Sequence, residues 1–145
     1  MGFEDLENVL SKLVFDLPVA AETPADAMPF ELTTFDYAER DHDKWLKLIS
    51  GYLKQAKSFE IHCWNEETEW IELALEYGRV REDDWKYGKI IIGDVTPEFV
   101  AMILNLSKPT DTEVYNKMTP FFNVFLDDTF QSCHYGTENY SKSML

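Results

Sequence analysis

The sequence predicts an α+β (or mixed α/β) domain: a single mixed sheet of about four to five strands, three to four helices packed on it, and a C-terminal β-hairpin. Three observations lead there. Apolar residues recur at helical spacing in four stretches and at strand-like spacing, or as short continuous runs, in five others. The two kinds of stretch alternate along most of the chain. The last two strand-like stretches are separated only by Asp127-Asp128-Thr129, a connection short enough for a hairpin. At 145 residues with 45% hydrophobic and 14% aromatic content, the chain can bury a core as one globular domain, residues 1–145.

In chain order, Phe3 to Val14 is expected as an N-terminal helix within residues 1–14. Phe3, Leu6, Val9, Leu10 and Leu13 form its apolar stripe, and Glu4, Asp5 and Glu7 stand near its positive end. Residues 15–29 are rich in Pro and Ala and read as a connector. Phe30 to Asp36 is a short strand. Asp41 or Asp43 caps a second helix, Lys44 to Ala56, with a stripe of Trp45, Leu48, Ile49, Tyr52, Leu53 and Ala56; Gly51 within it costs about 1 kcal/mol relative to Ala.

Ser58 to Gly78 holds two signals in succession. Ser58 to Trp64 alternates, so Phe59, Ile61 and Cys63 face one way and Glu60, His62 and Trp64 the other, which is expected to be the wet side. Trp70, Leu73, Ala74 and Tyr77 then stand on one face of a helix, capped by Asn65 or Thr68 and ended by Gly78 in a left-handed conformation. Glu69, Glu72 and Glu76 fall opposite that face. Arg79 to Gly88 reads as a polar loop or an irregular edge, Lys89 to Gly93 as an inner strand, and Thr96-Pro97 as the start of a helix that buries Phe99, Met102, Ile103 and Leu106. Phe121–Leu126 and Phe130–Tyr135 form the hairpin, and residues 136–145 are a polar tail.

The net charge of −14 is unevenly spread: −9 over residues 1–43, +4 over 44–57, −6 over 58–78 and −3 over the remainder. Such a surface repels nucleic acid and anionic membranes. It keeps the chain soluble and favours a basic protein as partner. Two Cys make no disulfide framework, the N-terminus lacks a secretory apolar segment, and no apolar run is long enough to span a bilayer; a cytoplasmic protein of bacterial character is expected.

No nucleotide-binding or hydrolase motif occurs, and no cofactor is implied. His62-Cys63 and Cys133-His134 match zinc ligands by number, but neighbours in a strand point to opposite faces and no metal-ligand spacing is present. A weaker alternative is an acid/base or metal site built from His62, His134 and nearby carboxylates, Glu60 or an Asp of the 127–128 turn. The glutamate stripe has two readings of its own: pairing with Lys44, Lys47 and Lys54 of the preceding helix, or an exposed acidic-aromatic surface.

A small acidic Trp-containing domain without catalytic signature is similar in kind to bacterial immunity proteins and antitoxins, which neutralise toxic enzymes by binding them. The likeness is of type and carries no residues over. The expected function is therefore non-enzymatic protein binding, with Glu60, Trp64, Glu66, Glu67, Glu69, Trp70, Glu72 and Glu76 as the partner-binding set. A small enzyme or metal-binding domain, and a homo-oligomeric structural protein, are the alternatives.

Overall fold

The computed structural model describes residues 30–35, 39–82, 85–110 and 116–142. The expected first helix and the connector at 15–29 lie outside them. The α+β class holds, with three helices and seven strands among the described residues. They run β1 (Glu31–Thr34), α1 (Glu39–Leu53), β2 (Ser58–Trp64), α2 (Thr68–Leu75), β3 (Arg79–Val80), β4 (Gly88–Asp94), α3 (Pro97–Asn105), β5 (Asn123–Leu126), β6 (Phe130–Cys133) and β7 (Glu138–Ser141). One sheet contains all seven in the order β1-β7-β6-β5-β2-β4-β3. Every pairing is antiparallel, so the sheet is not mixed, and it is larger than the four to five strands expected.

The two added strands have physical reasons for being hard to read. β3 is two exposed residues long, Arg79 and Val80, and ends the sheet at one edge. β7 lies in the stretch expected to be a polar tail. It has no apolar alternation because its inward positions are Asn139 and Ser141, and Asn139 is buried by being fully bonded. Its Nδ2 donates to the carbonyls of Thr33 (3.2 Å) and Gly136 (2.8 Å), and its Oδ1 accepts from Trp45 Nε1 (3.2 Å).

Register divides the sheet into two faces. Phe59, Ile61 and Cys63 of β2, Ile91 of β4, Val124 and Leu126 of β5 and Phe130 of β6 pack in one core with all three helices. α1 contributes Trp45, Ile49, Tyr52 and Leu53; α3 contributes Phe99, Met102 and Ile103, with Phe99 stacked on Phe59 at 4.0 Å between ring centroids. The start of α3 is as expected: Pro97 opens it and Thr96 Oγ1 accepts from Phe99 N at 3.1 Å.

The hairpin turn also holds. Asp127 adopts a left-handed φ of 49°, tolerable for Asp, and its carboxylate takes the N–H groups of Lys57 and Ser58 at 2.9–3.1 Å, which fixes the entry to β2.

The end of α2 departs from expectation. The helix stops at Leu75 with Glu76 as a right-handed cap, and Gly136 is the one glycine with positive φ among the described residues. Gly78 is required for space instead: a Cβ there would lie 2.2 Å from the Ile92 carbonyl oxygen and 2.9 Å from the Phe59 ring. Because the obstacle is backbone, Gly78→Ala is expected to destabilise the fold by about 3 kcal/mol in chemical denaturation.

Candidate functional site

The alternation of β2 is as read, but its second face is not wet. His62 is fully buried and Trp64 is 6% exposed. The cover comes partly from residues outside regular strands and partly from the neighbouring strands. Trp85 and Phe122 pack on Trp64 at 5.2 and 4.8 Å, and Phe125, Cys133, Tyr135 and Tyr140 complete a second apolar cluster.

A buried polar chain crosses this face. Asn123 of β5 sits opposite His62 in the β2–β5 register. Its Oδ1 accepts the backbone N–H of His134 (3.2 Å), so its Nδ2 must be the group 2.9 Å from His62 Nδ1. Nδ1 therefore accepts, and the imidazole proton is on Nε2, which donates to Glu60 Oε2 at 2.6 Å. Arg81 Nη1 donates to the other Glu60 oxygen at 2.8 Å. Burial pushes the Glu60 carboxyl up, but the hydrogen bond from His62 and the charge of Arg81 outweigh it and hold the group below its ordinary value.

A carboxyl lowered on folding adds stability above its unfolded value of 4.5, and that stability is lost as pH falls through the folded value. Glu60→Gln is expected to cost about 2 kcal/mol at neutral pH, with the gap from wild type closing below the ordinary carboxylate range in pH-dependent urea unfolding.

This arrangement weakens the metal and acid/base alternative. Both ring nitrogens of His62 are engaged within the fold. Cys63 and Cys133 face opposite sides of the sheet, since Cys63 packs in the core under the helices and Cys133 in the second cluster. Burial raises both thiols well above their usual range, the reverse of nucleophile activation. His134 lies beyond β6, its Nδ1 2.9 Å from Glu138 Oε1. That hydrogen bond outweighs burial and holds the Glu138 carboxyl down, while burial and the Glu138 charge push Tyr140 up to about 12. Among the described residues no group of three or more His, Cys, Asp or Glu could hold a metal ion. The Asp127 carboxylate is committed to the turn into β2.

The expected partner-binding residues separate into two groups. Trp64 is interior, and Trp70 is half-buried against Phe121. Glu60 serves the polar chain. Glu67, at the entry to α2, commits its carboxylate internally: Oε1 accepts from Trp64 N and Oε2 from Tyr135 OH, both at 2.9 Å. Burial nevertheless pushes its carboxyl up, against those two bonds.

Glu66, Glu69, Glu72 and Glu76 are exposed, with the 39% exposed Leu75 among them. Among the described residues no ion pair joins them to Lys44, Lys47 or Lys54. Lys44 pairs with Asp41 on its own helix at 3.7 Å, and α1 packs beside α3 rather than presenting its lysines to α2.

Arg81, Asn123, Tyr135 and Glu138 escaped the sequence reading. Nothing local marks them, because their roles depend on which strand lies beside which. No protein-family model, no curated protein and no solved structure matches this chain.

Proposed function

We propose that this chain is a non-enzymatic protein-binding domain, of the immunity or antitoxin kind, that docks the acidic outer face of α2 on a basic protein. The observation that carries this is the set Glu66, Glu69, Glu72 and Glu76: four exposed carboxylates on α2 and its two ends, Glu66 in the turn before it and Glu76 at its C-cap, without a cation partner among the described residues, near the exposed Leu75. Like charges three and four apart on a helix cost it a few tenths of a kcal/mol each, so the stripe does not serve the stability of α2. A basic surface would relieve that repulsion on contact and would be drawn to it from a distance. Glu67 and Trp64 act behind this surface by fixing the entry to α2, and Glu60 serves the polar chain on the other face of the sheet; none of them touches the partner.

The test is affinity capture on the immobilised chain at low salt, with elution by a salt gradient. The expected result is a basic protein that binds saturably and leaves as ionic strength rises from about 0.05 to 0.5 M. Retention of no basic protein at low salt, or retention indifferent to salt, would overturn the proposal.

A further inference from the structure

The polar chain behind α2 has a direction, and the direction makes it sensitive to a proton. Every donor is assigned: His134 N–H to Asn123 Oδ1, Asn123 Nδ2–H to His62 Nδ1, His62 Nε2–H to Glu60 Oε2, and Arg81 Nη1–H to Glu60 Oε1. The one place where a further proton can enter His62 is Nδ1, and a proton there meets the N–H of Asn123. Asn123 can turn its oxygen toward that proton only by turning its NH₂ toward the backbone N–H of His134. In either arrangement one donor faces another, and water does not reach the fully buried imidazole to relieve it.

The surroundings decide which bond breaks. The charged groups facing His62 among the described residues are Glu60 on its own strand and, through Glu60, Arg81. Its other neighbours are the rings of Trp85 and Phe125, its register partner Ile90 on β4, and Asn123 on β5. A protonated imidazole is thus held more tightly at Nε2, by the carboxylate, and repelled at Nδ1. The cost falls on the Asn123 side.

That side is the strained one. His134 and Tyr135 have φ of 52° and 61°, a left-handed pair of residues with full side chains, followed by Gly136 at 86°. His134 N–H is satisfied by Asn123, and Tyr135 OH is one of the two bonds on the Glu67 carboxylate at the entry to α2.

We propose that His62, Asn123 and the 134–136 turn form a proton-sensitive latch: protonation of His62 releases the His134 amide, loosens the turn and slackens the Glu67 bond that seats α2. On the docking function proposed above, on which this consequence rests, mild acid would release the partner. The latch itself is a property of the free chain.

It is therefore tested without a partner. Amide hydrogen exchange, corrected for intrinsic rates, is compared at about pH 7.5 and pH 5.5. Exchange at His134 is expected to accelerate roughly tenfold more than at the amides of Ile61 and Ile91 in the central strands. His62→Gln supplies an acceptor to Asn123 and a donor to Glu60 but takes up no proton, so it is expected to fold and to abolish the acceleration. Asn123→Asp offers an acceptor to both the His134 amide and a protonated Nδ1, and is expected to abolish it as well. His134→Gln, which removes the other histidine of this region, is expected to retain it. Equal exchange at the two pH values in wild type, or acceleration that persists in His62→Gln, would overturn the latch while leaving the docking proposal standing. Loss of salt-dependent capture with the acceleration intact would do the reverse.

Discussion

Trp45→Ala is expected to be among the most destabilising single substitutions in this chain, at about 4 kcal/mol, and to lower the midpoint of thermal unfolding by well over ten degrees. Trp45 is 1% exposed and stands where α1 meets the sheet. Removing its ring opens a cavity against Gly136, whose hypothetical Cβ would lie 2.8 Å from Trp45 Nε1, so the backbone and the indole are already in close contact. The substitution also strips a donor from Ser132 Oγ (3.1 Å) and Asn139 Oδ1 (3.2 Å), both on fully buried residues. Asn139 is the residue that makes β7 possible, so the damage should spread to the β6–β7–β1 side of the sheet. Trp45→Phe separates the two contributions. It keeps most of the volume and loses the N–H, and is expected to cost about 2 kcal/mol. Equal stability of wild type and Trp45→Phe in urea would mean that the indole N–H does not matter. Equal stability of wild type and Trp45→Ala would mean that α1 does not pack as described.

These contacts also mark what could be read from the residues in order. Trp45, Ile49, Tyr52 and Leu53 announce themselves by helical spacing, and Thr96-Pro97 announces the start of α3, because both signals are local. The β2 alternation is local too, and the assignment of Phe59, Ile61 and Cys63 to the core followed from it.

What could not be read was the fate of the other face. Whether Glu60, His62 and Trp64 meet water depends on Trp85, from a loop without periodicity, and on Phe122, just before β5 and distant in sequence; both reach β2 only once the sheet is assembled. β7 was hidden for a related reason. A buried Asn with three hydrogen bonds looks, in sequence, like any residue of a polar tail. Glu67 illustrates the same limit beside one helix: it is one of six acidic residues in 58–78, and while its bond from Trp64 N is local, its bond from Tyr135 depends on the assembled sheet.

Reversing the exposed charges of α2 separates interface from scaffold. The triple variant Glu69→Lys, Glu72→Lys and Glu76→Lys is expected to fold with stability close to that of wild type. All three side chains are exposed and make no ion pair among the described residues. An all-acidic trio becomes an all-basic one, so the repulsion within the helix is about the same. A cation suits the C-terminal end at position 76 and opposes the dipole in the first turn at position 69, and these two effects offset each other. Against a basic partner captured by wild type, the same variant is expected to lose about 3 kcal/mol at low ionic strength, roughly a hundredfold in Kd, most of it through a slower association rate. The loss should shrink toward about tenfold in 0.5 M salt, where screening shortens the reach of the charges. A control triple variant, Lys44→Glu, Lys47→Glu and Lys54→Glu, places a charge change of the same size and opposite sign on α1 and the turn that follows it, away from the proposed surface. If net charge alone governed binding, it would strengthen capture as much as the α2 variant weakens it. If α2 is the docking surface, its effect should be several-fold smaller. An α2 variant that unfolds would show that the stripe is structural. One that folds and binds as wild type does would place the interface elsewhere on the chain.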